Sequence, residues 1–578
     1  MDFQAVFTEI GKFGRYQKFI LSVLSLPHLL AASYIYIQVL TIQDTEHHCK
    51  AWPNETCGGL NISETECGLL KRDLSIPFTQ NNFGNVTEED QCHKYNVTGI
   101  SLATAYSSDD WINSTDIIGC DEGWVFNRTS SSSSIIIDFD LVCDKSYLAK
   151  LAQSAFFAGS LAGSFIAGAA ADMIGRRRTQ LLCYVTSAAV GVATAFSTSI
   201  WMYMILRFCS AMLLRGIGLA DFVLINELVA PSKRVLVGNL LWVFWAFGYM
   251  IFAAIAKFLT NWRILEITIS LPMMLALIVT YIFVPESPRW LITKRKPEKA
   301  AKILKKIAKV NGKIVSDEYI DGVCHVDECQ SSDKVKGTFR DLIRSPVVLL
   351  IFVNMCFNWC VQSLVYYGLS LSTSELGVDP FLSFMISGVV EIPAYLCCMF
   401  VADVLGRKRA TFATMLLAGV SCSVAPLIDA GVWRLIVVMA GKFGITMSFS
   451  LVYTWAVELV PTSLRSIGLG VFSLTSRIGS VIAPLILLLE DVWIGLPYFI
   501  FGGAATLAGL LCLLLPETKG KPLPTTIQDT EQLARKLEKL REPPLLFGIE
   551  NPSWKANTSM DNEGEEKETL GETSEDRI

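Results

Sequence analysis

Long apolar runs separated by short polar stretches account for most of the chain. A run that crosses a bilayer as a helix needs roughly 20 mostly apolar residues. Twelve runs meet that need, at 18–40, 147–171, 180–198, 201–229, 235–257, 263–284, 346–369, 381–402, 410–428, 433–459, 466–489 and 493–515. The pattern predicts an all-α membrane protein of twelve transmembrane helices in two six-helix halves, 1–284 and 346–515. A large polar loop, 41–145, follows the first helix, and a polar linker, 285–345, joins the halves. In the linker, Glu298 to Val310 sets Ala300, Ile303, Leu304, Ile307 and Ala308 on one helical face with lysines opposite. Such a basic amphipathic helix suits the inner membrane surface or a bridge between halves. The remainder, 516–578, turns polar and ends in an acidic stretch poor in aromatics, which reads as a disordered tail.

The polar breaks repeat at one offset. Asp172-Met173-Ile174-Gly175-Arg176-Arg177-Arg178 returns as Asp403-Val404-Leu405-Gly406-Arg407-Lys408-Arg409, 231 residues later. Glu227 with Arg234 returns as Glu458 with Arg465, and Pro285-Glu286-Ser287 as Pro516-Glu517-Thr518, at the same offset. The chain is therefore two copies of one unit, and duplicated membrane halves that rock around a central site characterise secondary transporters. Each repeated glycine permits a tight turn, and the cations beside it sit at the membrane interface. Asp172, Gly175, Arg176, Arg177, Glu227 and Arg234, with Asp403, Gly406, Arg407, Glu458 and Arg465, are read as a gate between the halves.

Charge sets the orientation. Only 18% of residues are charged and 52% are hydrophobic, against about 25% charged in soluble proteins. Basic residues crowd alternate short loops and the stretch after the sixth run, which places both termini in the cytoplasm. The net charge of −5 indicates no nucleic-acid surface. The loop 41–145 holds sequons at Asn54, Asn61, Asn85, Asn96, Asn113 and Asn127, and cysteines at 49, 57, 67, 92, 120 and 143. Glycan acceptors and an even cysteine set suit an oxidising, extracellular face. Six cysteines (Cys49, Cys57, Cys67, Cys92, Cys120, Cys143) allow 15 pairings, all open at this point, and their spacing fits no zinc pattern. No nucleotide-binding loop is present and the five histidines form no metal or triad pattern, so no cofactor, catalytic residue or metal is expected. His28, within the first run, reads as a packing residue.

Ionisable residues inside a membrane helix are costly and are functional candidates by default. Arg215 and Asp221, Glu391 and Arg477 fall in the middle of their runs. Arg215 and Asp221 are six residues apart, on different sides of a helix, and are not expected to pair. Glu391 is the candidate partner for a cation or a proton. Arg207 and Lys442 lie nearer the outer ends, where long side chains snorkel, and read as structural. Trp359, Tyr366, Tyr453 and Phe222, among other aromatics, are candidates to line a site for an ammonium group.

These motifs resemble the major facilitator superfamily. The long loop with six sequons, Val390-Glu391-Ile392-Pro393-Ala394-Tyr395 and Tyr366-Tyr367-Gly368-Leu369-Ser370-Leu371 are similar to the organic cation, organic anion and carnitine transporter family. The resemblance implies the major facilitator fold, alternating access and a small organic ion as substrate, in the plasma membrane. Cation-selective members typically carry aspartate where this chain has Arg477; anion and carnitine members carry arginine. Sodium-coupled members carry asparagine in the first span and glutamine in the third, at positions that align with Ala31 and Ser187, so sodium coupling is not implied. The expectation is a carrier of organic cations or carnitine-like zwitterions. The alternatives are organic anions, or a non-transporting sensor on the same fold.

Overall fold

The computed structural model describes residues 6–533 apart from 43–45, 54, 56, 58–62, 81–86, 108–110, 113–114, 127–132, 331–344, 462–463, 522 and 525. Twelve helical spans run Arg15–Thr41, Tyr147–Ile174, Arg176–Ala195, Ile200–Glu227, Arg234–Phe258 and Trp262–Phe283, then Pro346–Leu371, Pro380–Leu405, Arg407–Val424, Val432–Leu459, Arg465–Leu487 and Leu496–Cys512. Span six is two helices, Trp262–Ser270 and Pro272–Phe283. Among the described residues ten stretches are long and apolar enough to cross a membrane; the more polar span three and the short span twelve complete the set. Exposed apolar side chains such as Phe165, Ile166, Leu182 and Ile205 clothe the bundle. Trp201, Trp433 and Trp493 stand exposed at one end, as interfacial anchors do.

Each half packs by bringing backbones together at glycine. A side chain on Gly248 of span five would stand 2.0 Å from the Leu29 carbonyl of span one, and one on Gly479 of span eleven 2.1 Å from the Cys360 carbonyl of span seven. These two glycines are themselves 231 residues apart, so the repeat extends to helix packing. Close approach of this kind substitutes for a hydrophobic driving force that lipid cannot supply.

The halves meet chiefly at the end that bears the large loop. Span two joins span eleven through Ser154 Oγ, which donates to the Val481 carbonyl at 3.1 Å, and through Lys150 Nζ, 3.1 Å from Glu490 Oε2. Span five joins span eight, where Lys257 Nζ lies 3.3 Å from Asp379 Oδ2 and the Tyr249 and Phe384 rings stack at 4.0 Å. In both ion pairs the N-terminal half supplies the lysine.

Three two-stranded antiparallel sheets build the loop: His47–Cys49 with Trp124–Phe126, Phe78–Gln80 with Thr87–Glu89, and His93–Tyr95 with Ile117–Gly119. Of the 15 pairings the structure has Cys49–Cys120, Cys57–Cys67 and Cys92–Cys143. The bond between Cys92 and Cys143 removes the thiolates that a metal beside His47 would need. Lys94, buried beneath the strands, hydrogen-bonds Asp121 at 2.6 Å and holds its carboxyl below the usual carboxylate range. Asn96 follows a strand with its side-chain carbonyl accepting from Thr98 N; the other five sequon asparagines lie outside the described residues.

The basic helix runs Pro297–Asn311 and buries Ala300, Ala301, Leu304, Ile307 and Ala308. It packs with Val6, Phe7, Leu224 and Leu228 on the N-terminal half, rather than bridging the halves. Asn311 fastens its end: Oδ1 accepts from Tyr16 N at 3.0 Å and Nδ2 donates to the Ile10 carbonyl at 2.9 Å. The first part of the tail expected to be disordered, 516–578, is ordered where it is described. Residues 516–533 pack on the C-terminal half, where Ile527 and Leu533 lie against its core and Ser345 donates to Glu531. Ile527 and Leu533 are the apolar residues of its helical stretch 527–533; residues 534–578 lie outside the described residues.

The backbone contact at Gly479 generates a prediction. Gly479→Val should push spans seven and eleven apart at a cost of about 1–3 kcal/mol. Purified variant protein is expected to unfold at lower temperature than the wild type, and an unchanged transition would refute the close approach.

Candidate functional site

Two networks stand at the end opposite the loop. Spans three and nine each begin directly after a glycine of positive φ, Gly175 at +108° and Gly406 at +83°. The free N–H groups of each helix start carry partial positive charge and favour an anion. Glu286 supplies it in the first half: its Oε1 accepts from Arg176 N at 3.0 Å and Arg177 N at 3.2 Å. Glu517 does the same in the second, accepting from Arg407 N at 2.9 Å and Lys408 N at 3.0 Å. A Cβ on Gly175 or Gly406 would lie 2.5 or 2.6 Å from these carboxylates, so the glycine serves the clamp as well as the turn. The repeated Pro-Glu-Ser/Thr motif was the sequence signal for this pair, to which the sequence reading attached no role.

The arginines then reach sideways. Arg176 Nη2 is 2.9 Å from Asp172 Oδ1, and its Nε is 3.7 Å from Glu227 Oε2. Arg407 Nη2 is 3.0 Å from Glu458 Oε1, and its Nη1 is 3.6 Å from Asp403 Oδ1. Arg177 donates to the Tyr281 carbonyl at 2.5 Å and Arg234 to the Asn226 carbonyl at 3.1 Å. Arg465 Nη2 donates to the Val460 carbonyl at 3.5 Å. All of these contacts run within one half.

Midway along the bundle the candidate substrate residues fall into three groups. In the first, Arg215 of span four donates to Ser164 Oγ at 3.2 Å and, across the halves, to Ser473 Oγ of span eleven at 3.4 Å. Arg477, also on span eleven, is 7% exposed and its Nε has no hydrogen-bond partner. The two guanidinium groups lie within electrostatic reach of each other, and Arg215 also of Tyr367 and Tyr453. Among the described residues neither arginine has a carboxylate partner. Tyr453 packs its ring 4.3 Å from Trp359, and Phe449 lies 5.5 Å from Tyr453 and 5.9 Å from Tyr366. Phe222, two turns from Arg215 on the same helical face, is exposed.

The second group surrounds Glu391. Lys442 Nζ lies 3.0 Å from its Oε1 and Tyr366 OH donates to the same oxygen at 2.7 Å. The lysine also hydrogen-bonds Ser370 and sits 3.5 Å above the Tyr366 ring. Lys442 therefore does not snorkel; it is 1% exposed and neutralises the one carboxylate expected to meet a cation. Arg207 does not snorkel either. It is wholly buried, donates to the Tyr34 carbonyl at 2.6 Å and lies over the Phe156 ring at 4.2 Å. Depth along a helix, read from sequence, does not reveal which face a side chain takes.

The third group is Asp221, wholly buried inside the N-terminal half. Gln180 of span three donates to its Oδ1, and His28 of span one brings Nδ1 to 3.6 Å from Oδ2. It makes no contact with Arg215, as the six-residue spacing predicts. Unlike the gate motifs, these groups are not duplicated. The positions 231 residues from Arg215, Asp221, Glu391 and Arg477 hold Thr446, Val452, Ser160 and Ala246.

A family profile described as "Sugar (and other) transporter" matches residues 95–528. The chain is 33% identical over 568 residues to solute carrier family 22 member 6 of Danio rerio, covering 96% of this chain and 99% of that protein. It is 34% identical to the organic cation transporter protein of Drosophila melanogaster, covering 93% and 96%. In fold it is similar to the inward-open xylose transporter XylE of E. coli, with a TM-score of 0.58, 16% identity, and coverage of 89% of this chain and 99% of that one. Twelve spans in two like halves, the paired charge networks and relatives matched end to end lead to one conclusion: this multi-pass membrane transporter has the major facilitator fold and belongs to the sugar (and other) transporter family and, within it, to solute carrier family 22.

Proposed function

We propose that this transporter moves small organic ions bearing a carboxylate across the plasma membrane by alternating access, with both termini cytoplasmic. The observation that carries the reading is the pair of arginines, Arg215 and Arg477. Arg215 reaches across the halves to Ser473 and lies within electrostatic reach of Arg477 on the same span and of Tyr453, whose ring packs with Trp359 and Phe449, and neither arginine has a carboxylate partner among the described residues. A guanidinium fork binds a carboxylate in bidentate geometry, and a buried charge left unpaired favours a ligand that completes it. A simple cation fits less well, because Glu391 is already matched by Lys442. The same aromatic faces favour a second reading, a carnitine-like zwitterion whose ammonium lies against them, each contact contributing about 0.5–2 kcal/mol. The lysine–acid pairs at the loop end cross between the halves and supply contacts that a rocking motion would exchange. The sequons and disulfides support an extracellular loop.

Three outcomes test this. Arg477→Ala should weaken carboxylate uptake roughly tenfold to a hundredfold, the worth of a charge-assisted bond, while Lys restores charge but not the fork. Equal losses for carboxylates and for a simple cation in a labelled uptake panel would remove the arginine from the site; no uptake of any organic ion would favour the sensor. At the loop end, Lys257→Asp should change turnover, and the swap Lys257→Asp with Asp379→Lys should restore it. Failure of the double variant, at normal surface expression, would deny that the pair is a gate contact. Glycosidase should lower the apparent mass of surface protein, and replacing all six sequon asparagines should abolish the shift; an unglycosylated surface protein would overturn the orientation.

A further inference from the structure

The pair His28 and Asp221 has no role in the site described above. Asp221 is fully enclosed by its own half, and a bare carboxylate there would cost several kcal/mol without a cation or a proton. Gln180 donates to one oxygen; the other, Oδ2, has no hydrogen-bond partner and lies 3.6 Å from His28 Nδ1, which is hydrogen-bonded to the Leu24 carbonyl at 3.1 Å. The titratable and charged groups around the pair are Cys183 and Tyr184 of span three and Arg215 on span four itself. Arg215 is engaged with Ser164 and Ser473, which leaves His28 as the group able to share a proton with Asp221. The side chain of His28 is 14% exposed while that of Asp221 is sealed, so the ring is the more accessible member of the pair.

We propose that His28, Asp221 and Gln180 form a proton-binding site in the N-terminal half, and that its proton moves with the substrate. A proton enters at Nε2 of His28. The Nδ1–H then turns from the Leu24 carbonyl to Asp221 Oδ2, and its N–H bond breaks as an O–H bond forms there, leaving neutral imidazole and neutral acid; release runs in reverse. Two coupled groups hold one proton between them, so the site titrates as a unit. Its place on span four explains why loading affects transport. Arg215, Asp221 and Glu227 follow one another at six-residue steps, each about 9 Å along the helix. The proton site thus lies between the substrate arginine and the glutamate that meets Arg176. For a monocarboxylate, co-movement of one proton leaves the loaded carrier with no added charge. The coupling, though not the site, rests on the carboxylate-substrate reading.

Two measurements test it on the full-length protein. In infrared spectra of the purified transporter, a protonated-carboxyl band should titrate with pH and vanish in Asp221→Asn. Asp221→Glu, a second variant should Asn fail to fold, should keep the band at an altered midpoint. In proteoliposomes, uptake of labelled benzoate by the wild type should rise on external acidification by up to roughly tenfold per pH unit, the limit for one bound proton. In Asp221→Asn and His28→Gln the profile should be flat, whatever its level. A band unaffected by Asp221→Asn overturns the site. A wild-type pH profile in both variants overturns the coupling. Wild-type vesicles that take up no benzoate at any pH would refute the substrate reading, and the infrared result would still decide the proton site.

Discussion

Charge in the interior of a bilayer is costly unless a partner or water attends it, and the layout of this chain follows from where each buried charge finds its partner. Glu391 has Lys442, and Arg207 has the Tyr34 carbonyl and the Phe156 ring. Asp221 has Gln180 and His28. Arg215 and Arg477, like Arg207, reach no carboxylate, but Arg215 bonds across the halves to Ser473 and Arg477 lies on the span it reaches. Some of the unmet charge thus lies where the two halves separate and rejoin, so a ligand that satisfies it there also acts on their relative position.

Duplication and divergence divide the labour. The clamps of Glu286 and Glu517, the glycines they close upon and the close approaches at Gly248 and Gly479 recur at one offset. These are mechanical parts, which each half needs in the same form. The buried charges do not recur, and the loop-end pairs set both lysines on one half and both acids on the other. A symmetric charge set would repel itself across the interface, whereas opposite signs attract, so divergence here serves association as well as recognition.

Much of the fold was legible because its signals are local: a span declares itself by composition, and a gate loop by a glycine between acid and base. What required the structure joins residues far apart in sequence. Glu286 caps a helix that begins 110 residues earlier. Lys442 looked like an interfacial lysine until span eight brought Glu391 against it. The cysteine pairing could not be chosen from spacing, and the order of 516–533 depends on a groove in the C-terminal half.

The arrangement of span four links these parts. One helix carries Arg215, the enclosed Asp221 and Glu227, with its backbone bonds internal. Any ligand that draws Arg215 toward Arg477 must act through the same rod on Glu227 and its contact with Arg176. A ligand shifts a conformational equilibrium only by its differential affinity for the two states. The unpaired arginines supply that difference for an anion and supply little for a cation. The Glu391–Lys442 pair is satisfied within its own half and keeps its partner whichever way the halves lean. On the carboxylate reading proposed above, substrate charge and conformational coupling are set by the same two side chains.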